Sequence, residues 1–241
     1  LDNFVYRRVL KNFRAAKKVH FDIKKTDDLP PDLKYVLLPL NTEPEVALLS
    51  YGRPFVNQIE TARAIAQNLP ISWKLIVKEH PAAMAYRTAN YYRKMKDIPN
   101  VLLAAPDVDS GALIDGSQMV SVVFGTIGLE AIIKQKPLIT FNKTPYGILP
   151  ETMVKVSTKY WELANDINFM INEYKFDHDA LKKYIGATLN DAIPADLFTR
   201  MLNKAGRQKA DELTDLDSQY RALSQKLMER VKFEKALFDG L

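Results

Sequence analysis

Two short stretches hold residues whose types and spacing suit the binding of an anion. The first is Gly125-Thr126-Ile127-Gly128-Leu129-Glu130, which follows the apolar run Met119–Phe124. A β-branched run ending at a glycine, then a small hydroxyl residue, then an apolar-periodic segment with an early glutamate, predicts a buried strand entering a helix. Unpaired N–H groups and the positive end of the dipole at such a helix start favour a phosphate, and Gly125 and Gly128 would keep side chains out of its approach. The same pattern also fits a plain strand-to-helix turn whose glycines serve packing alone. The second stretch, Lys78-Glu79-His80-Pro81, terminates another apolar run and places an imidazole beside a proline. A histidine in that setting is either a donor to a ligand or part of the turn.

The elements that would position these residues alternate regularly. Tyr35–Leu38, Lys74–Val77, Val101–Leu103, Met119–Phe124 and Pro137–Phe141 read as strands, with Met153–Val156 as a weaker sixth. Between them, Ile59, Ala62, Ala66 and Leu69 mark one helical face. Ala83–Met95, a short segment after Ser110, and Ile127–Lys134 supply the other helices. Strands this apolar, separated by helices, predict a parallel sheet covered on both faces, and the right-handed crossover rule leads to a doubly wound α/β fold. Ligands of such sheets bind outside the C-terminal ends of the strands. That rule selects the loops Pro39–Glu45, including Thr42 and Glu43, together with Lys78–Pro81, Gly125-Thr126 and Asn142–Thr144.

The formal charge of +5 is concentrated at one end. Residues 1–25 carry eight basic side chains against Asp2 and Asp22, so the remainder is close to neutral. That distribution argues against a broad nucleic-acid-binding face. Val5, Val9, Phe13 and Ala16 recur at helical spacing among the basic residues, which predicts a basic amphipathic helix. Its partner would be an anionic membrane surface or another domain, and docking of a solvated charged helix is the favoured reading. Beyond residue 157, Tyr160–Tyr174, His178–Leu189 and a long final segment with Leu213, Leu216, Tyr220, Leu223 and Leu227 read as helices. No apolar run is long enough for a membrane span, and the absence of cysteine fits a reducing, cytoplasmic setting. The chain starts at Leu1 and reads as the back part of something longer.

Four blocks make the chain resemble the capsule and surface polysaccharide biosynthesis proteins, glycosyltransferases of the GT-B type. They are YVLLPLNTEPE at 35–45, WKLIVKEHP at 73–81, IPNVLLAAPDVDS at 98–110 and GTIGLEAIIKQKPLITF at 125–141. The resemblance implies two Rossmann-type domains facing across a cleft, this chain being the half that holds a CMP-, UDP- or GDP-linked sugar. It implies that His80 and Pro81 lie against the phosphates or ribose, that Gly125 and Thr126 donate to phosphate, and that Glu130 takes the ribose hydroxyls. Lys78, Thr42 and Glu43 complete the expected substrate-binding set. The implied partners are a nucleotide sugar, a glycan or lipid-linked acceptor, an N-terminal domain outside this sequence, and the inner face of the membrane. No cofactor and no metal enter this scheme, and the catalytic base is expected from the other domain. The chain departs from related sequences at Asn41, where a histidine is frequent, and at Leu129, where an aromatic residue is frequent.

On this basis residues 1–30 form a basic helix and linker, 31–190 a Rossmann-like nucleotide-sugar-binding domain, and 191–241 a helical extension. Asp107-Val108-Asp109 matches a metal-binding DxD pattern, but its place before Ser110 favours helix capping. Two other functions compete with glycosyl transfer: a sugar-nucleotide epimerase, which shares the architecture, and a non-catalytic interaction protein. The epimerase would need further acid/base groups, whereas His20, His80 and His178 are the only histidines.

Overall fold

The computed structural model describes residues 19–43, 46–50, 52–83, 86–192 and 216–239. The expected amphipathic helix at the N-terminus falls largely on residues 1–18, and Leu213 on 193–215, both outside the described residues. The chain divides into two compact units, 1–181 and 182–241.

The first unit is built on six strands, β1 (Tyr35–Pro39), β2 (Lys74–Lys78), β3 (Val101–Ala104), β4 (Met119–Val122), β5 (Leu138–Thr140) and β6 (Val154–Val156). All pairings are parallel and the order is β3-β2-β1-β4-β5-β6. This is the doubly wound arrangement expected from the alternation of apolar runs and helices. The chain reverses its direction of winding between β1 and β4, so a crevice opens there beyond the strand ends. Burial on both sides explains why these strands are continuous in their apolar residues: Val36, Leu37, Leu75, Ile76, Val77, Val120 and Val122 are essentially inaccessible.

Among the described residues the α-helices are α1 (Val46–Ser50), α2 (Gln58–Asn68), α3 (Ala89–Lys96), α4 (Ser110–Gly116), α5 (Ile127–Ile133), α6 (Leu163–Asn172), α7 (His178–Asp191) and α8 (Leu216–Asp239). Their local chemistry explains several boundaries. Asp109 accepts from the N–H groups of Gly111 (2.9 Å) and Ala112 (3.3 Å), so the second aspartate of the DxD pattern is a helix cap. Thr88 caps α3 through Tyr91 N, which starts that helix later than the apolar pattern from Ala83 suggests. The buried face of α2 is Gln58, Thr61, Ala62, Ile65 and Ala66. Ile59 and Leu69, expected on that face, are only half-buried, because the inward turn of Gln58 rotates the stripe.

The outer edge of β3 is covered by residues 21–23. Asp22 N and Ile23 N both donate to Leu103 O, Asp22 Oδ2 accepts from Leu103 N, and Lys96 pairs with Asp22 at 2.7 Å. The described part of the basic segment therefore lies beside the far edge strand, two strands from the β1–β4 crevice. Within the second unit, Lys226 of α8 pairs with Asp191 at the end of α7. No helix among the described residues is long and apolar enough to cross a membrane.

Candidate functional site

The crevice is walled by the loops that leave β1 and β4. After β1 the chain runs through Leu40, Asn41, Thr42 and Glu43, and after β4 through Val123, Phe124 and Gly125. Asn41 joins the two walls, its Nδ2 donating to Phe124 O at 2.8 Å. Gln58, at the first turn of α2, holds the same asparagine from behind. Its Oε1 accepts from Asn41 N at 2.7 Å and its Nε2 donates to Asn41 O at 3.1 Å. A buried side-chain amide thus pairs with the backbone as a neighbouring strand would, which satisfies a loop that has left the sheet.

Beneath the rim lies a charged cluster. Arg87 is almost fully buried and contacts Glu79 Oε2 at 3.3 Å and Glu43 Oε1 at 3.8 Å. The same guanidinium donates to Asn41 O and stacks 4.6 Å from the centre of the Tyr91 ring. Glu43 also accepts from Gln58 Nε2. Burial raises the Glu79 carboxyl above its ordinary value; Arg87, Tyr92 and the His80 N–H oppose the rise, and Glu43 adds to it.

Of the residues singled out from the sequence, four are exposed along the C-terminal edge: His80, Pro81, Thr126 and Glu130. His80 Nδ1 accepts from Ala82 N at 3.1 Å, so a neutral ring carries its proton on Nε2. Gly125 adopts a φ of +131°, a conformation natural to glycine, and sits where Asn41 crosses to the β4 wall. Thr126 and Glu130 follow on the first turn of α5. Thr42 is half-buried between Asn41 and Glu43. β2 and β4 flank β1, which sets the ends bearing His80 and Thr126 about 10 Å apart.

Lys78 and Gly128 have inward duties. Lys78 is buried, and its Nζ donates to Pro106 O at 3.0 Å and Glu79 O at 3.4 Å. The space over Gly128, expected to admit a phosphate, is filled by Tyr146: a Cβ there would stand 2.3 Å from its hydroxyl. Tyr146 Oη donates to Gly125 O at 2.9 Å and so fixes the turn from the β5 side.

Burial lowers the Lys78 ammonium from its ordinary 10.5, while Glu79, Asp107 and Asp109 partly oppose the shift. Between the folded value and 10.5 the unfolded chain binds more protons, so this group makes stability rise with pH across that window. Subtracting the urea-unfolding profile of Lys78→Met from that of the native chain at pH 8–10.5 is expected to reveal this rising component. Above pH 10 the buried tyrosines act in the opposite sense. Burial pushes Tyr35 up to about 12 and raises Tyr91 and Tyr92 further, so unfolding releases their protons. A flat difference profile would mean that Lys78 stays solvated.

Arg87, Gln58 and Tyr146 were not apparent as site residues from the sequence. Each reads locally as an ordinary polar or turn residue, and what distinguishes it is a partner on another element.

The family model for capsule polysaccharide biosynthesis proteins matches residues 3–169. The chain belongs to that family. The matched region contains the whole six-stranded sheet and both walls of the crevice. No curated protein matches the sequence. Among solved structures, the chain is similar to a β-Kdo 2,7 transferase, KpsC, of Thermosulfurimonas dismutans. The identity is 18%, with 69% of this chain and 53% of that chain covered, at a TM-score of 0.38. The UDP-GlcNAc 2-epimerase of Methanocaldococcus jannaschii gives 16% identity over 76% of this chain and 53% of its own, at 0.45. A second KpsC structure from T. dismutans, a β-Kdo 2,4 transferase, gives 21% identity over 58% and 44%, at 0.39. The chain thus spans about half the length of the solved structures it matches.

Proposed function

We propose that this capsule biosynthesis protein supplies the nucleotide-sugar-binding half of a GT-B glycosyltransferase, acting in capsule or surface polysaccharide assembly. The observation that carries the reading is the polar crevice at the β1–β4 switch point in a member of that family. In this reading the main-chain N–H groups after Gly125 and the Thr126 hydroxyl donate to the donor phosphates. The Nε2–H of His80 reaches the phosphates or ribose from β2, with Pro81 shaping that wall, and Glu130 accepts from the ribose hydroxyls. Thr42 and Glu43 face the ligand from β1. Lys78, buried at the end of β2, would contribute its charge through the protein and not by contact.

The reaction would transfer a glycosyl group. The anomeric carbon loses its bond to the nucleotide phosphate and gains one to an acceptor hydroxyl, whose proton goes to a base on the facing domain. Donors preorganised around the departing phosphate stabilise the charge that develops there. In this reading the acceptor is a glycan or a lipid-linked saccharide, and the protein would work in the cytoplasm at the inner face of the membrane.

Calorimetric titration of CMP-, UDP- and GDP-sugars tests this directly. One base class is expected to bind, and Thr126→Ala should weaken it roughly tenfold, about 1.5 kcal/mol for a hydrogen bond to a charged acceptor. Glu130→Gln should weaken the same ligand while leaving thermal stability unchanged. Absence of binding by the native chain to every class, or indifference to both substitutions, would remove the donor reading and leave the fold.

A further inference from the structure

We infer that Arg87 is a positioning residue that sets the geometry of the Gly125-Thr126 turn through Asn41. The route consists of two successive hydrogen bonds. The buried guanidinium donates to Asn41 O, and the Asn41 side chain donates to Phe124 O, the carbonyl immediately before Gly125. These contacts bridge separations of 46 and 83 residues, so they tie the segment after β2 to the loop after β1 and that loop to the end of β4. The sheet cannot do this itself, because the β1–β4 ladder pairs only Val36 with Met119 and Leu37 with Val120. Beyond that ladder the Asn41 side chain bridges the two walls.

Arg87 is suited to the task because its own position is over-determined. Glu79 holds one nitrogen, Glu43 and Asn41 O share the other, and the Tyr91 ring lies against the plane. A planar fork with several fixed partners transmits position where a flexible ammonium would not. At the far side Tyr146 holds Gly125 O, so the turn is clamped from both directions. Gln58 pairs with Asn41 N and O and keeps the loop's backbone in register while the asparagine side chain reaches across. As a contribution to ligand binding, the relay rests on the donor-site reading above; as a structural coupling it stands without a ligand.

The test uses the full chain in two states. In the ligand-free protein, amide resonances of Gly125 and Thr126 are followed in Arg87→Lys, which keeps the charge and loses the fork, and in Asn41→Ala, which leaves the Arg87 ion pairs in place. Both variants are expected to displace these resonances, and the double variant to displace them no further than Asn41→Ala alone. A merely structural Arg87 would perturb residues around Glu79 and leave the turn unmoved, which would overturn the inference. So would additive shifts in the double variant. Where the native chain binds a nucleotide sugar, Arg87→Lys is expected to weaken it about tenfold, the loss of roughly one hydrogen bond to a charged group. Failure of the native chain to bind any nucleotide sugar would overturn the donor reading, whereas unmoved resonances would overturn the relay.

Discussion

Arg87→Met is expected to lower stability by about 3–5 kcal/mol at neutral pH, the usual cost of removing one partner of a buried ion pair. Both sides of the Arg87–Glu79 contact are essentially inaccessible, with side-chain exposures of 3% and 1%. Methionine restores most of the volume, so the loss reports charge and hydrogen bonding more than a cavity. It leaves the buried Glu79 without its guanidinium and removes one of the two donors to Asn41 O, the other being Gln58 Nε2. The pH dependence identifies the cause. Burial already holds the Glu79 carboxyl above its ordinary 4.5, so the folded protein binds the proton more tightly and stability falls as pH rises through the window above 4.5. Without Arg87 that value rises further and the fall extends to higher pH. Urea unfolding at pH 4.5 and pH 7.5 should therefore show a smaller penalty at the lower pH, and adding Glu79→Gln should recover part of it. A penalty independent of pH would mean that Glu79 is not the group left stranded.

Gly128→Val should cost about 3 kcal/mol, at the upper end of ordinary overpacking. A Cβ at this position would stand 2.3 Å from Tyr146 Oη and 2.6 Å from its Cζ. The ring cannot retreat cheaply: it is buried, and its hydroxyl is committed to Gly125 O. The expected result is a lowered melting temperature and, on the proposed donor reading, weaker binding of a nucleotide sugar, since moving Tyr146 frees the turn. In a Tyr146→Ala background the same valine should cost much less, giving a coupling energy characteristic of contacting residues. Equal costs in both backgrounds would place the strain in the helix backbone and not at the ring.

The strands were legible because a parallel sheet buried on both faces demands uninterrupted apolar residues, and Tyr35–Leu38 and Lys74–Val77 have little other use. Their ends were less so. Met119–Phe124 reads as one apolar run, yet the strand stops at Val122. Val123 is buried without belonging to the ladder, and hydrophobicity reports burial, not pairing. In the same way the face of α2 was misplaced because the inward residue at its start, Gln58, is polar. Pattern reading assigns an amide to solvent, whereas here it completes the backbone hydrogen bonding of the β1 loop.

By itself, then, the sequence determined the alternation of strands and helices, hence a doubly wound sheet, and hence which loops lie at its C-terminal edge. Those are consequences of local periodicity and of the single permitted crossover hand. It also pointed to a helix cap at Asp109 or Ser110, because a cap and its N–H partners are neighbours in the chain, and the structure gives that role to Asp109. Only the tertiary structure decided that Lys78 turns inward, that Gly128 makes room for a tyrosine, and that Arg87 and Asn41 join the loops of three strands. The physical reason is that a buried polar side chain must find its partner wherever the fold supplies one, and here that partner lies as far as 83 residues away.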